Sequence, residues 1–320
     1  MLNIKINETK VNNKHIVVVG STNTDMVVRS SHLPKAGETV LGGEFMMLPG
    51  GKGANQAVTI ARLGGKVHFI TKLGNDIFGA QSKLNLEKEG VLVDYVFCDD
   101  VHPSGVALIS VDDNGENSIV VAPGANAQLG IDEVNKAKSC ILAAEIILMQ
   151  LEIPITTVES VKQMALNMNK KVILNPAPAC HLPDAVLNGL YLITPNHNEV
   201  EILTGFTISD EHSCEKASQY LKNKGVQNVI ITLGSKGAYL SSEAFSGMIN
   251  TIEFNVVDTT GAGDAFNGSI AFALSQDMNL ESAVRYANLV AGLSVTKLGA
   301  QASVPYPSEL EMELKNVKSF

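Results

Sequence analysis

Residues 252–274 read IEFNVVDTTGAGDAFNGSIAFAL, and this passage predicts a strand, a glycine turn and a helix in immediate succession. Ile252–Val257 has the apolar and β-branched content of a strand, and the small side chains after Asp264 suit a helix packed closely against its neighbours. Strand, turn and helix in that order form the repeating unit of an α/β protein. At the turn, Gly261, Ala262 and Gly263 leave the backbone bare, so successive N–H groups can converge on an anion at the helix N-terminus. Asp264 falls at the same point. A carboxylate held ionised there suits a base that accepts a hydroxyl proton at neutral pH. Asp is also a common N-cap, and from Asp264 alone that plainer reading competes. The two glycines and the small-residue start of the helix favour an anion hole.

Outward from this segment the same alternation recurs. His15–Val19 (HIVVV), closed by Gly20, reads as a strand buried on both faces. Further strands are expected at 67–71, 146–150, 172–175, 191–194 and 229–233. Helices are expected at 52–63, 78–89, 155–167, from about 198, at 263–276 and at 280–296. In the last of these, Leu280, Ala283, Val284, Ala287, Val290 and Ala291 keep helical spacing. The alternation predicts a three-layer α/β/α fold, a mainly parallel central sheet with helices on both faces. Two hairpin-like patches interrupt it. Residues 26–29, 38–41 and 44–48 read as short antiparallel strands, and 105–111 pairs with 117–121 across the turn-forming DDNGE. They predict a small antiparallel β lid drawn from about 24–48 and 104–122. Residues 1–14 read as a flexible arm, leaving 15–320 as one domain.

The ends of the other strands carry polar residues, where ligands of open α/β sheets gather. In GSTNTD (20–25), Asn23 and Asp25 flank Thr24 and project the same way, so they fit adjacent hydroxyls. An Asx turn is the alternative. GGKGAN (50–55) opens a helix but fails the P-loop pattern, because position 46 is Met and no Ser or Thr follows Lys52. Gly51, Lys52, Gly53, Ala54 and Asn55 suit hydrogen bonds to sugar hydroxyls instead, or a simple loop-to-helix turn. Glu152 ends another buried strand. Asn196 and Glu199, in ITPNHNE, fit waters around a magnesium ion or a cap on the following helix. TLGSKG (Thr232, Leu233, Gly234, Ser235, Lys236, Gly237) offers backbone donors and a hydroxyl, or a tight hairpin turn. His181 and His197 lack partners at metal-ligand spacing. No G-x-S-x-G elbow supports a serine hydrolase, and no G-x-G-x-x-G follows the first strand to support a dinucleotide dehydrogenase.

The 320 residues carry a formal charge of −9 and three arginines, Arg29, Arg62 and Arg285. That balance argues against a nucleic-acid or membrane-surface partner, which needs a basic footprint. It also rules out an arginine-rich phosphate clamp, leaving backbone amides, a lysine or a metal ion to hold phosphates. Hydrophobic residues at 45% provide for a sizeable core. Cys98, Cys140, Cys180 and Cys214 match no zinc spacing and read as reduced thiols. With a polar start, MLNIKINETKVNNK, and no apolar run of bilayer length, a soluble cytoplasmic protein is expected.

Taken together, the motifs resemble the ribokinase-like family of carbohydrate and nucleoside kinases. GGKGANQAV (50–58) and DTTGAGDAF (258–266) match its two signatures, and GSTNTD, MQLE, NPAPA, ITPNHNE, TLGSKG and KLGAQASVP (297–305) agree in order and spacing. The similarity runs from about His15 to Pro305. It implies ATP-dependent phosphorylation of D-ribose at its primary 5-hydroxyl, giving ribose 5-phosphate and ADP. Deoxyribose, fructose or adenosine kinases, and a non-catalytic sugar-binding regulator, are the alternatives. The resemblance makes Asp264 the base and Gly261, Ala262, Gly263 and the Asp264 amide the anion hole. It gives Asn23, Thr24, Asp25, Gly51, Lys52, Gly53, Ala54, Asn55 and Glu152 to the sugar. It gives Asn196, Thr232–Gly237, Gly263 and Asn288 to ATP, with Glu199 ordering Mg2+ waters. Asp258, Thr260, Ser294, Lys297, Gly299 and Ser303 match positions around an activating K+, largely through backbone oxygens. The lid is implied to pair with its copy in a homodimer.

Overall fold

The computed structural model describes residues 14–317; the arm expected at 1–14 lies outside them except for Lys14. The chain enters at β1 (His15–Val19), makes an excursion through β2 (Asn23–Arg29) and β3 (Phe45–Gly50), and returns on α1 (Lys52–Arg62). There follow β4 (Lys66–Gly74), α2 (Ile77–Lys88) and β5 (Val96–Asp99), then a second excursion through β6 (Gly105–Val111) and β7 (Asn117–Ala122). Next come α3 (Ile131–Lys136), α4 (Lys138–Ala143), β8 (Ile146–Met149), α5 (Ile155–Leu166), β9 (Lys171–Leu174), α6 (Asp184–Leu187) and β10 (Leu192–Ile193). They lead to α7 (His197–Thr204), α8 (Glu211–Asn223), β11 (Asn228–Thr232), β12 (Ala238–Ser241) and β13 (Ser246–Ile249). The last elements described are α9 (Ala262–Ser275), α10 (Leu280–Ser294), α11 (Ala300–Ser303) and α12 (Pro307–Val317).

β1 lies inside a nine-stranded sheet of order β13-β12-β11-β10-β9-β8-β1-β4-β5. Pairings from β11 through β1 to β5 are parallel, and only the β11–β12–β13 edge is antiparallel. Because side chains alternate along a strand, β1 feeds both faces. Ile16 and Val18 enter a core with α1, α9 and α10, while Val17 and Val19 enter one with α4, α5 and α8. This is the three-layer architecture that the alternation predicts.

The second sheet has the order β3-β2-β6-β7. Its outer pairs are antiparallel, and its inner strands β2 and β6 run parallel, so that Asn23 lies between Gly50 and Gly105. Two expected strands do not form. Residues 38–41 stay in an exposed loop, and β3 alone supplies the antiparallel partner of β2. Ile252–Val257 runs across α10 instead of joining β13: Val257 N donates to Val295 O at 2.8 Å, and the Phe254 ring lies over Gly292. The glycine turn is therefore fed by a segment packed on a helix. No helix among the described residues is long and apolar enough to cross a membrane.

Candidate active site

The polar strand ends converge where the parallel strands finish. α9 begins at Ala262, with Gly261 as its N-cap in the left-handed region (φ 76°). A Cβ on Gly261 would also come within 2.7 Å of the Ala300 Cβ, so conformation and packing both require glycine there. Asp264 is thus the third residue of the helix and makes no cap. Its side chain points to α1 instead, accepting from Asn55 Nδ2 on Oδ2 and from Gln56 Nε2 on Oδ1, both at 2.9 Å. The carboxylate is 7% exposed. Burial pushes its pKa above the ordinary range, while Lys52 and the two amide donors pull it back. A Cβ placed on Gly263 would meet nothing within 4 Å, so the space over the helix start is open.

Asp25, Lys52, Glu152 and Glu199 lie close enough to Asp264 for these charges to act on one another. Burial alone would lower the Lys52 ammonium, but Asp264, Glu152, Glu199 and Asp25 outweigh it and raise the pKa. Asp25 is pushed up to about 6 by burial and by the charges of Glu152 and Asp264, against the pull of Lys52. Glu152 is held in place by Ser21 Oγ and by Lys52 N at 3.0 Å. Asn23, almost fully buried, accepts from Asn126 Nδ2 at 2.8 Å. Glycines allow the close approach of the loop: a Cβ on Gly51 would lie 2.6 Å from Asn23 N, and one on Gly53 2.6 Å from Ser21 N. Thr24 and Ala54 lie beside these groups on β2 and α1.

On the far side, Asn196 and Glu199 form a capping box on α7. Asn196 Oδ1 accepts from the Asn198 and Glu199 amides at 2.9 Å, and Glu199 Oε2 accepts from Asn196 N at 2.8 Å. Their capping is real, and Glu199 still faces Lys52, with burial raising its pKa. Thr232 bridges to Asn196, and Gly234–Lys236 is a single 3-10 turn between β11 and the antiparallel β12. Leu233 N donates to Gly237 O at 2.8 Å, and a Cβ on Gly237 would strike Ile249 O, which accepts from Asn288 Nδ2 at 3.0 Å. Residues 232–237 and Asn288 therefore border one region, with Ser235 and Lys236 on its rim.

These arrangements point to carbohydrate kinase chemistry, and the family model described as pfkB family carbohydrate kinase matches residues 13–307. The chain belongs to the pfkB family. Among relatives, ribokinase of Haemophilus influenzae is 42% identical, covering 92% of this chain and 97% of its own. A deoxyribokinase of Salmonella typhi is 38% identical, covering 91% and 95%. Among solved structures, Arabidopsis thaliana ribokinase complexed with ribose and ATP superposes with a TM-score of 0.88, 32% identity, 94% coverage of this chain and 99% of that one.

A third cluster abuts the α9 turn of this pfkB-family chain. Asp258 accepts from Thr260 N (2.9 Å), Thr260 Oγ1 (2.6 Å) and Gly299 N (2.8 Å), and these donors hold its pKa below the carboxylate range in spite of burial. The Ser294 and Ser303 hydroxyls turn back to Ala291 O and Ala300 O, and the Lys297 ammonium pairs with Glu309. Among the described residues no group of three or more His, Cys, Asp or Glu is placed to hold a metal. The cysteines are all unpaired thiols.

Sequence reasoning did not single out Ser21, Gln56, Asn126, Gln150, Asn175, Thr194, Asn267 or Gln301. Gln301 Nε2 donates to Asn55 Oδ1 at 3.1 Å, tying the 299–303 loop to the site.

Proposed function

We propose that this chain phosphorylates D-ribose on its primary 5-hydroxyl with ATP, and the observation that carries the reading is the buried Asp264 carboxylate beside the bare amides of α9. Asp264 accepts the hydroxyl proton as the sugar oxygen bonds to the γ-phosphorus and the bond to the β,γ-bridging oxygen breaks, releasing ADP. The amides of Gly261, Gly263 and Asp264 stabilise the charge on the transferred group at the helix N-terminus, and Ala262, whose amide donates to Thr259 O at 3.2 Å, would join them by giving up that bond. Asn23, Thr24, Asp25, Lys52, Asn55 and Glu152, with the backbone of Gly51, Gly53 and Ala54, hold the sugar. Asn196, Thr232–Gly237 and Asn288 border the nucleotide. As a domain, 15–320 acts as one unit, with the small sheet as lid.

Four carboxylates against one ammonium would repel a triphosphate, which supports a divalent cation accompanying it. Mg2+ when bound would neutralise phosphate charge, and Glu199 would order its waters. The oxygen-only donors around Asp258, Thr260, Ser294, Lys297, Gly299 and Ser303, with one carboxylate, suit a large monovalent cation such as K+. Unpaired thiols are consistent with a cytoplasmic location. The lid is proposed to pair with its copy in a homodimer.

The deciding experiment measures ADP release at fixed ATP with ribose, 2-deoxyribose, fructose and adenosine, with and without Mg2+, and with K+ exchanged for choline. Ribose is expected to give the highest kcat/KM, because a site built for a hydroxyl leaves its own polar groups unpaired when that hydroxyl is missing. Each such neutral group costs about 1–3 kcal/mol. Asp25→Ala is expected to raise the ribose KM and narrow the gap to 2-deoxyribose. A better turnover of 2-deoxyribose or adenosine would overturn the ribose assignment, and a flat response to K+ would remove the cation site.

A further inference from the structure

One chain of side-chain amides runs away from Asp264 into the interior, and the chemistry of the carboxylate sets its direction. An ionised carboxylate only accepts, so Gln56 must turn its NH2 toward Asp264. The same Nε2 donates to Asn175 Oδ1 at 3.1 Å. Gln56 Oε1 is then left to accept, and Gln150 Nε2 donates to it at 2.5 Å. Gln150 Oε1 is consequently left over. It is fully buried and is one of the few side-chain atoms among the described residues without a partner. An unpaired buried carbonyl oxygen costs stability, so its retention calls for a reason.

We propose that Gln56, braced by Gln150, is a positioning residue that aims the Asp264 carboxylate at the acceptor hydroxyl. The proposal rests on Asp264 being the base. Gln56 touches no reacting atom. It is fully buried, as is Gln150, so neither has a solvent-facing alternative, and the brace fixes which end of the Gln56 amide faces Asp264. The circuit also returns to α9: Asn175 Nδ2 donates to Thr194 O at 3.3 Å, Thr194 Oγ1 to Asn267 Oδ1 at 2.5 Å, and Asn267 Nδ2 to Gly263 O at 2.8 Å. Base and anion hole are thus held by the same set of bonds through the ends of β8, β9 and β10. The charged groups that also bear on Asp264 are Lys52, Glu152, Asp25 and Glu199; neither substitution below alters them.

The test is steady-state kinetics of Gln150→Met and Gln56→Met with ribose and ATP across pH, beside thermal melting. Gln150→Met removes one orphaned oxygen but leaves Gln56 Oε1 without its donor, so its Tm is expected to stay close to that of the unaltered protein. Its kcat is expected to fall roughly 5- to 30-fold with the ribose KM within about threefold, since misaiming costs turnover more than binding. Gln56→Met, which removes the donor itself, is expected to fall further. In Gln56→Met the acid limb of kcat moves to higher pH, because a carboxylate that loses a donor binds its proton more tightly; in Gln150→Met it moves the same way by less, as the unbraced Gln56 amide turns its oxygen toward Asp264 part of the time. If Gln56→Met does not fold, Gln150→Met decides alone. Unchanged kcat and acid limb in the folded variants would overturn the proposal, as would a loss carried by KM. Absence of ribose turnover in the unaltered protein would instead sink the kinase reading.

Discussion

Asp264 is a buried acid with two fixed amide donors and one lysine for company, and an isosteric amide replaces none of its functions. Asp264→Asn is expected to lower kcat by roughly two to four orders of magnitude while ribose still binds, since the base is removed and the cavity kept. Asn55 and Gln56 would then face an NH2 group on one side, leaving a donor unpaired at about 1–3 kcal/mol, so a lower Tm accompanies the loss. Turnover within a fewfold of normal in the folded variant would dismiss Asp264 as base. At this scale legibility followed chemistry. Asp264, Lys52 and Glu152 stand out because acids and a lysine beside bare glycines have few purposes. Gln56 does not stand out, because its meaning lies in partners 208 and 94 residues away, Asp264 and Gln150. The N-cap reading of Asp264 fits the spacing, but the helix starts at Ala262, so Gly261 takes that place and Asp264 lies within the first turn.

Two helices carry Asp264 and its amide donors, α9 with Asp264 and α1 with Asn55 and Gln56, and their separation sets the bonds between them. Gly268 governs that separation. A Cβ there would lie 2.7 Å from Thr59 Cβ and 2.8 Å from Gln56 O, and the second of these is backbone that cannot rotate away. Gly268→Ala gains about 1 kcal/mol of helix propensity but meets an overpacking cost of about 1–3 kcal/mol. The net expectation is a Tm lower by a few degrees together with a fall in kcat, because α9 moves off α1 and stretches both bonds to Asp264. A stabilised variant with normal kcat would show that the contact is slack. Element boundaries were legible where local signals suffice. N-x-x-E at 196–199 is a capping-box spacing, and the box is there. Ile252–Val257 misled because its apolar and polar residues alternate as in a half-covered strand, whereas only Ile252 and Phe254 are half-buried and Val256 and Val257 are exposed.

At the scale of the molecule, alternation of period made the parallel sheet foreseeable, whereas the parallel join of β2 to β6 depends on two excursions meeting, which no local pattern encodes. Among the described residues, one face of the joined sheet is left uncovered. Met47, Met26, Leu108 and Val120 lie opposite one another across all four strands, and Met47, Leu108 and Val120 are 58%, 54% and 65% exposed. Phe45 and Val28 extend the same face. A monomer seldom leaves so continuous an apolar stripe in water, and a four-stranded sheet gains little from a face that stays wet. Pairing with a second copy covers the stripe without opposing like charges, since these six side chains carry none. The unaltered protein is therefore expected to sediment at about twice its 34.0 kDa chain mass. Val120→Lys is expected to sediment as a single chain, with little change in folding because the side chain is already exposed in the isolated subunit. Its ribose KM is expected to rise more than its kcat falls, because β2, which carries the proposed sugar ligands Asn23 and Asp25, would lose support from behind. A Val120→Lys variant that remains a dimer would place the interface elsewhere, and a monomeric unaltered protein would leave the stripe to some other cover.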